Sequence, residues 1–347
     1  MTLPVYIATE LEAEKLRPGA EVEVRGSEAH HAATVRRTRS GERIQLVNGR
    51  GLRTTITVSA VDKATLRGTV SEVERDFPHA PQIVLVQALA KGGRDEQAIE
   101  TATEYGVDAV KPWQADRSVA RWEGAAKIAR GIARWEATVR EAAKQSRRSW
   151  LPQVGECVRS DALTSWIHKH SEAGDLVLVC HETAQRPMVH VLQQWVVAHS
   201  AALRAQVERE PQAPEPCANA GSHPTATPRV NVGLCTTAEP HADVTVAERA
   251  DDFSVVSEPA VGEPVTISEP AAVGEPATIS EPAAAGRELA AAPTVVLIVG
   301  PEGGISEAEI SRFAAAGAVP VLLGEHVMRA SSAGPWAIAV IRAQCAQ

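Results

Sequence analysis

The sequence predicts an α/β protein: a small β domain over residues 1–75, then a parallel sheet covered by helices over residues 80–347, interrupted by a long insertion at 203–291. Three observations carry that expectation. Short apolar-polar alternations broken by Gly and Asn-Gly fill the first 75 residues, apolar strands alternate with helical stretches from Pro81 onward, and Pro, Ala, Glu, Ser and Thr accumulate after about Leu203. At 347 residues the chain has ample length for two cores. With 44% hydrophobic but only 3% aromatic residues, those cores are built from Val, Leu, Ile and Ala, which suits buried parallel strands.

Taken in order, "AEVEVRG", "ERIQLVNGRG" and "TTITVSAV" alternate with period two, as strands of a small antiparallel barrel or sandwich do. The strand "IVLVQALAKG" leads to a helix at "DEQAIETATEYGV", a strand at "DAVKPW" and a long amphipathic helix from about Lys127 to Arg148. Next come the strand "DLVLVCHE" and the helix "PMVHVLQQWVVAH"; beyond the insertion lie the strand "TVVLIVG", a helix, the strand "VPVLLGE" and a last helix. The insertion falls in a helix-to-strand connection, where an excursion disturbs packing least. Its near-repeats "SEPAVGEPVTI", "SEPAAVGEPATI" and "SEPAAAG" carry too much Pro and Gly for helix or ladder, and too few large apolar side chains to offset the entropy of ordering. It is expected to be disordered, with an acidic docking tail as the alternative.

The net charge of −8 argues against a nucleic-acid partner only until it is divided along the chain. Residues 201–292 hold five arginines and no lysine against fourteen carboxylates, leaving 30 basic and 29 acidic residues elsewhere. The five cysteines (157, 180, 217, 235 and 345) are scattered and never paired as CxxC, so neither a disulfide framework nor a metal site is expected. A reducing cytoplasm fits that pattern. The first residues lack a basic region followed by an apolar one, and no window reaches the length of a membrane span, so no membrane partner is expected.

"IVGPEGGISEAEI", Ile298 to Ile310, joins a buried strand to a helix whose start is marked by the capping box Ser306 to Glu309. Its glycines therefore lie in a turn at the carboxyl end of a parallel strand, where open α/β sheets bind ligands and where glycine lets backbone amides approach closely. A turn of this composition can also do no more than reverse the chain. It is neither a Walker A loop nor the G-x-G-x-x-G of dinucleotide folds. The next strand closes with Leu323-Gly324 and a polar, small segment before the last helix, so the two bends would form adjacent walls of one pocket.

These residues resemble a known family. "VGPEGGISEAEI" followed by "LLGEHVMRASSA" is similar to the paired C-terminal signatures of the SPOUT methyltransferases, specifically the RsmE-type enzymes that methylate N3 of a uridine in 16S ribosomal RNA. "ALAKGGRDEQAIETATEYGVDAVKPWQADRSV" and "RWEATVREAAKQSRRSWLPQV" match the family upstream, and "HHAATVRRTRSGERIQLVNGRG" resembles its PUA-like N-terminal barrel. Nearly everything outside the insertion is covered. The resemblance implies a PUA-like β-barrel, a SPOUT domain with a deep trefoil knot, S-adenosyl-L-methionine as cofactor, a homodimer, and 16S rRNA in the small ribosomal subunit as partner.

Carried over by position, the cofactor pocket comprises Gly300, Pro301, Glu302, Gly303 and Gly304, then Leu323 and Gly324, then Val327, Met328, Arg329, Ser331 and Ala333, with Glu182 beside it. Small residues admit the backbone, and Leu, Val and Met supply apolar walls. His181 next to Glu182 is a structural or a catalytic histidine. The N3 proton of uracil is held too tightly for that nitrogen to attack unaided, so a group must accept it or stabilise charge on O2 and O4. Arg329 is the first candidate for the second role and Arg94 the next, phosphate binding being the alternative for either. Arg36, Arg37 and Arg39 in the β domain, and Lys144, Arg147 and Arg148 at the end of the long helix, are candidates for holding RNA phosphates, ordinary solvated faces being the alternative, more so for the first cluster than for the second. The chain departs from the family pattern R-I-L-R-x-E-T-A in "HVMRASSA", with His326 for an Arg and Ser331 for a Glu, where Ser331 is a candidate helix cap. Two alternatives stay open: a SPOUT enzyme with another RNA target, and a ribosome-binding factor weakened in catalysis.

Overall fold

The computed structural model describes residues 2–207 and 293–345. Apart from its first few positions, the insertion expected at 203–291 lies outside the described residues. The N-terminal part contains β1 (Val5–Ile7), β2 (Glu21–Arg25), α1 (Ser27–Thr34), β3 (Arg43–Val47), β4 (Leu52–Val61) and β5 (Thr65–Arg75), with strand order β1-β3-β4-β5-β2. Two features differ from a purely antiparallel reading. Strand β1 runs parallel to β3, Val5 lying opposite Gln45, and α1 covers the sheet. Ala29 and Ala32 on that helix are fully buried against Tyr6, Ile44, Leu46 and Ile56. Because small side chains let α1 approach closely, the stretch "SEAHHAAT" folds as a lid on the strands.

The larger sheet is built from β6 (Gln82–Ala88), β7 (Ala109–Gln114), β8 (Gln153–Val154), β9 (Val158–Arg159), β10 (Leu176–Cys180), β11 (Thr294–Val299) and β12 (Val319–Val321). Its order is β12-β10-β11-β6-β7-β8, with β9 also on β7, and every pairing is parallel. The helices are α2 (Arg94–Glu104), α3 (Ala125–Gln145), α4 (Ser160–Glu172), α5 (Met188–Val207), α6 (Glu307–Ala315) and α7 (Ala330–Cys345). The strand pleat divides β11 between two cores. Val295, Leu297 and Val299 join Ile99, Trp135, Leu192 and Ile338 on one face, whereas Val296 and Ile298 join Leu163, Ile167 and Phe313 on the other. Burial on both faces is why these strands read as continuous apolar runs; each such side chain contributes about 1.5–3 kcal/mol.

Helix α3 buries Gly131, Trp135, Val139 and Ala142, one face at helical spacing. Its end joins the two parts of the chain. Lys144 Nζ lies 3.2 Å from the buried carboxylate of Glu28 on α1. Arg53 Nη2 on β4 donates to Asp76 Oδ2 and to the Arg147 carbonyl, both at 3.0 Å, and Trp150 Nε1 donates to the Asp76 carbonyl at 2.9 Å. Behind them, Asp108 pairs with Arg148 at 3.7 Å and with Arg342 of α7, and accepts from the Ile83 amide at 2.8 Å.

Candidate functional site

Strand β11 ends at Val299, and Gly300 to Gly304 turn the chain into α6. The predicted capping box is present: Ser306 Oγ accepts from the Glu309 amide at 3.2 Å, and Glu309 Oε2 accepts from the Ser306 amide at 2.9 Å. Glu309 does more than cap. It is fully buried, and its other oxygen accepts from the Asp116 amide at 2.8 Å and from the Ser160 hydroxyl, which in turn accepts from Trp113 Nε1 at 3.2 Å. Burial opposes its charge, but these donors outweigh burial and hold its carboxyl below the ordinary range. The network fixes the glycine turn against β7, α4 and the loop after β7.

Gly303 has a steric reason of its own, since an added Cβ would lie 3.1 Å from the Arg117 carbonyl and 3.2 Å from Arg117 Cβ. At Gly300 the obstacle would be Ile305 Cγ1, at 2.6 Å. Glu302 points the other way, with Oε1 accepting from the Lys91 amide at 3.2 Å and from Arg94 Nη1 at 2.9 Å. Burial again works against its charge, yet the amide and guanidinium donors hold its carboxyl below the usual value.

The second bend follows β12, where Leu322 exchanges backbone hydrogen bonds with Arg186 and Met188 at 2.8 and 2.9 Å before Leu323-Gly324 lead toward α7. Because β10 lies between β11 and β12, the two bends flank the end of β10 and enclose one cavity of about 650 Å³. Gly300, Pro301, Glu302, Gly303 and Gly304 line one side, and Leu323, Gly324, Val327 and Met328 the other. Glu182, Arg329 and Ala333 also line it, as does Arg94. Ser331 does not: it lies inside α7, and among the described residues its hydroxyl makes no capping bond. His181, at the β10 end, is bonded through Nδ1 to the Thr183 hydroxyl at 2.9 Å, and His326 is exposed on the cavity's rim. Burial pushes the Cys180 thiol up to about 12, so it stays protonated and is no nucleophile at neutral pH.

The two arginine candidates differ in surroundings. Arg94 is committed to Glu302, whereas the exposed Arg329 has no ion-pair partner among the described residues. A third arginine, Arg117, lines the same cavity and had no individual signal in the sequence. Of the phosphate candidates, Arg36, Arg37 and Arg39 are exposed after α1, with Arg37 in the left-handed region at φ 54°. At the end of α3 only Arg147 is exposed. Lys144 is held by Glu28, and Arg148 is half-buried against Asp108 while donating to the Thr103 and Val107 carbonyls at 2.9 and 2.6 Å. Both serve packing between elements. Among the described residues no group of His, Cys, Asp and Glu could hold a metal ion, and no helix is long and apolar enough to cross a membrane.

A cavity walled by glycine turns at the carboxyl edge of a parallel sheet, in a chain that also carries a small β domain, is the arrangement in which open α/β folds bind small ligands. A family model described as an RNA methyltransferase domain matches residues 78–204 and 270–342, and one described as an RNA methyltransferase PUA domain matches residues 24–70. The chain belongs to the RNA methyltransferase domain family. It is 42% identical over 173 residues to a Mycobacterium bovis protein named ribosomal RNA small subunit methyltransferase E, spanning 50% of this chain and 66% of that relative. A Bacillus subtilis protein of the same name is 27% identical over 146 residues, 42% of this chain and 57% of the relative. The alignments thus span less than two thirds of these relatives' length. Among solved structures, a Neisseria gonorrhoeae ribosomal RNA small subunit methyltransferase E bound to S-adenosyl methionine superposes with a TM-score of 0.61 at 17% identity, covering 99% of this chain and 98% of that one. A Legionella pneumophila protein described as a methyltransferase, in complex with the cofactor SAM, gives 0.62 at 19%, with the same coverage. At these identities the likeness shows the fold.

Proposed function

We propose that this chain is an S-adenosyl-L-methionine-dependent methyltransferase acting on N3 of a uridine in 16S rRNA of the small ribosomal subunit, in the cytoplasm and as a homodimer. The observation that carries the reading is the single cavity made by the Gly300–Gly304 and Leu323-Gly324 bends in a chain of RNA methyltransferase family. The relatives' names and the cofactor in the solved neighbours support it. Residues 1–75 are the RNA-binding module and residues 80–347 the methyl-transfer domain.

The cavity suits the cofactor. Its volume of about 650 Å³ lies in the range for ligands of this size. An added Cβ at Gly324 would meet nothing nearer than Met328 Cε at 3.8 Å, so the backbone there is open to a ligand. Gly300, Gly303, Gly304, Leu323, Val327 and Met328 are the residues to hold it, with Glu182 available to a positively charged group. When bound, S-adenosyl-L-methionine supplies an electrophilic methyl group. Loss of the N3 proton to a base places negative charge on the uracil oxygens, which N3 then discharges by taking the methyl group; Arg329, exposed in the cavity and without an ion-pair partner among the described residues, is suited to stabilise that charge. Arg94 instead positions the glycine turn through Glu302. Of the cations that the sequence marks for phosphate, Arg36, Arg37, Arg39 and Arg147 are the exposed ones.

The test is incubation of purified protein with labelled S-adenosyl-L-methionine and small subunits from cells lacking the enzyme, followed by nuclease digestion and mass spectrometry. One N3-methyluridine in 16S rRNA is expected, from protein that sediments as a dimer. No transfer, or label on a ribose, would overturn the reading.

A further inference from the structure

The loop between β7 and α3, Ala115 to Glu123, alternates between anchored and displayed residues. Asp116 donates its amide to the buried Glu309. Ser118 is buried, its hydroxyl 3.0 Å from the Leu89 carbonyl, and Trp122 is buried, with its amide 3.0 Å from Gln114 Oε1 and its ring edge-on to Trp135 at 5.7 Å. The residues between them face solvent: Arg117, Val119, which is 71% exposed, and Arg121. Each guanidinium is steadied by a backbone carbonyl, Arg117 Nη1 on Gly303 at 3.3 Å and Arg121 Nη2 on Asp116 at 3.1 Å. Neither has a carboxylate within ion-pair distance among the described residues. Most of the basic side chains in this domain that are bound to protein are neutralised, Arg94 by Glu302, Arg134 by Glu96, Arg312 by Asp161 and Arg342 by Asp108.

Two held, uncompensated guanidinium groups on a rigid loop at the cavity's edge are suited to anions that arrive with the substrate. We propose that Arg117 and Arg121 form a phosphate-binding ridge for the RNA strand beside the target nucleotide, with Val119 between them packing on a sugar or base. The ridge positions the strand and leaves methyl transfer to the cavity. Carbonyl contacts orient the forks in advance, while the network through Glu309 ties the ridge to the glycine turn. RNA register and cofactor pocket are thereby fixed by one rigid unit. The inference rests on the RNA methyltransferase reading.

The test uses the full chain as R117A, R121A, the double variant and the charge-preserving R117K/R121K. Binding to 16S rRNA is measured across a salt series, and methyl transfer to small subunits is measured alongside cofactor affinity by calorimetry. Each alanine should lower the slope of log affinity against log salt by about one. R121A, whose side chain does not line the cavity, should raise KM for RNA several-fold with kcat and cofactor affinity unchanged, and the lysine pair should restore much of the slope. A double variant with the parent's slope and KM, in a protein that still methylates RNA, overturns the ridge and leaves the proposed function standing. Loss of cofactor affinity in R117A with an unchanged slope makes Arg117 a cofactor ligand, which also overturns it. A parent protein that neither binds nor methylates the RNA refutes both.

Discussion

Glu309 shows what one buried carboxylate does for this site. Its replacement by Ala would leave the Asp116 and Ser306 amides and the Ser160 hydroxyl without an acceptor, at a cost of about 2–4 kcal/mol. Cofactor affinity should fall with it, because the glycine turn would lose its anchor. A pH dependence follows from the direction of the shift. The folded carboxyl ionises below the ordinary range, so the unfolded chain takes up the proton first as pH drops. The stabilisation is present above about pH 4 and is lost as pH falls through the folded value. Glu309→Gln should flatten this acid limb in urea midpoints measured against pH; an unchanged limb would contradict the assignment. The capping half of this arrangement was legible in the sequence, because Ser306 and Glu309 are three residues apart. The other half was not: Ser160 and Asp116 lie 149 and 193 residues away, and nothing local marks them as partners.

At the scale of elements, alternating apolar strands and amphipathic helices were readable because each signal lies within a dozen residues. Pairing is not local, which is why the parallel β1-β3 ladder and the two-residue strands β8 and β9 left no trace in the pattern. The cationic run at the end of α3 illustrates the same limit. Sequence shows charge, but not that Lys144 finds Glu28 116 residues away or that Arg148 turns inward to Asp108. Within α3, Gly131 gives a test with a definite sign. Gly→Ala in a helix normally stabilises by about 1 kcal/mol, but here the new Cβ would lie 2.5 Å from the Trp122 ring. Gly131→Ala should instead destabilise by about 1–3 kcal/mol in chemical denaturation, through overpacking. Stabilisation would mean that Trp122 is free to move, and the loop carrying Arg117 and Arg121 with it.

For the whole molecule, Asp108 is the joint at which β6, the segment after α3 and α7 meet. Asp108→Ala would leave Arg148 and Arg342 as unpaired charges with side chains only 10% and 17% exposed, at a cost of about 3–5 kcal/mol. Urea unfolding reads that directly, and a loss below about 1 kcal/mol would show that solvent reaches both guanidinium groups. Sheet order carries a consequence for how such a chain is made. Strand β11 lies between β10 and β6, yet it is synthesised only after the long stretch that follows α5. Until then neither β10 nor β6 has the strand that completes its ladder on that side. At about 5–20 residues per second, making the intervening stretch takes on the order of ten seconds. A strand edge left unpaired for that interval is one to which another extended chain can add.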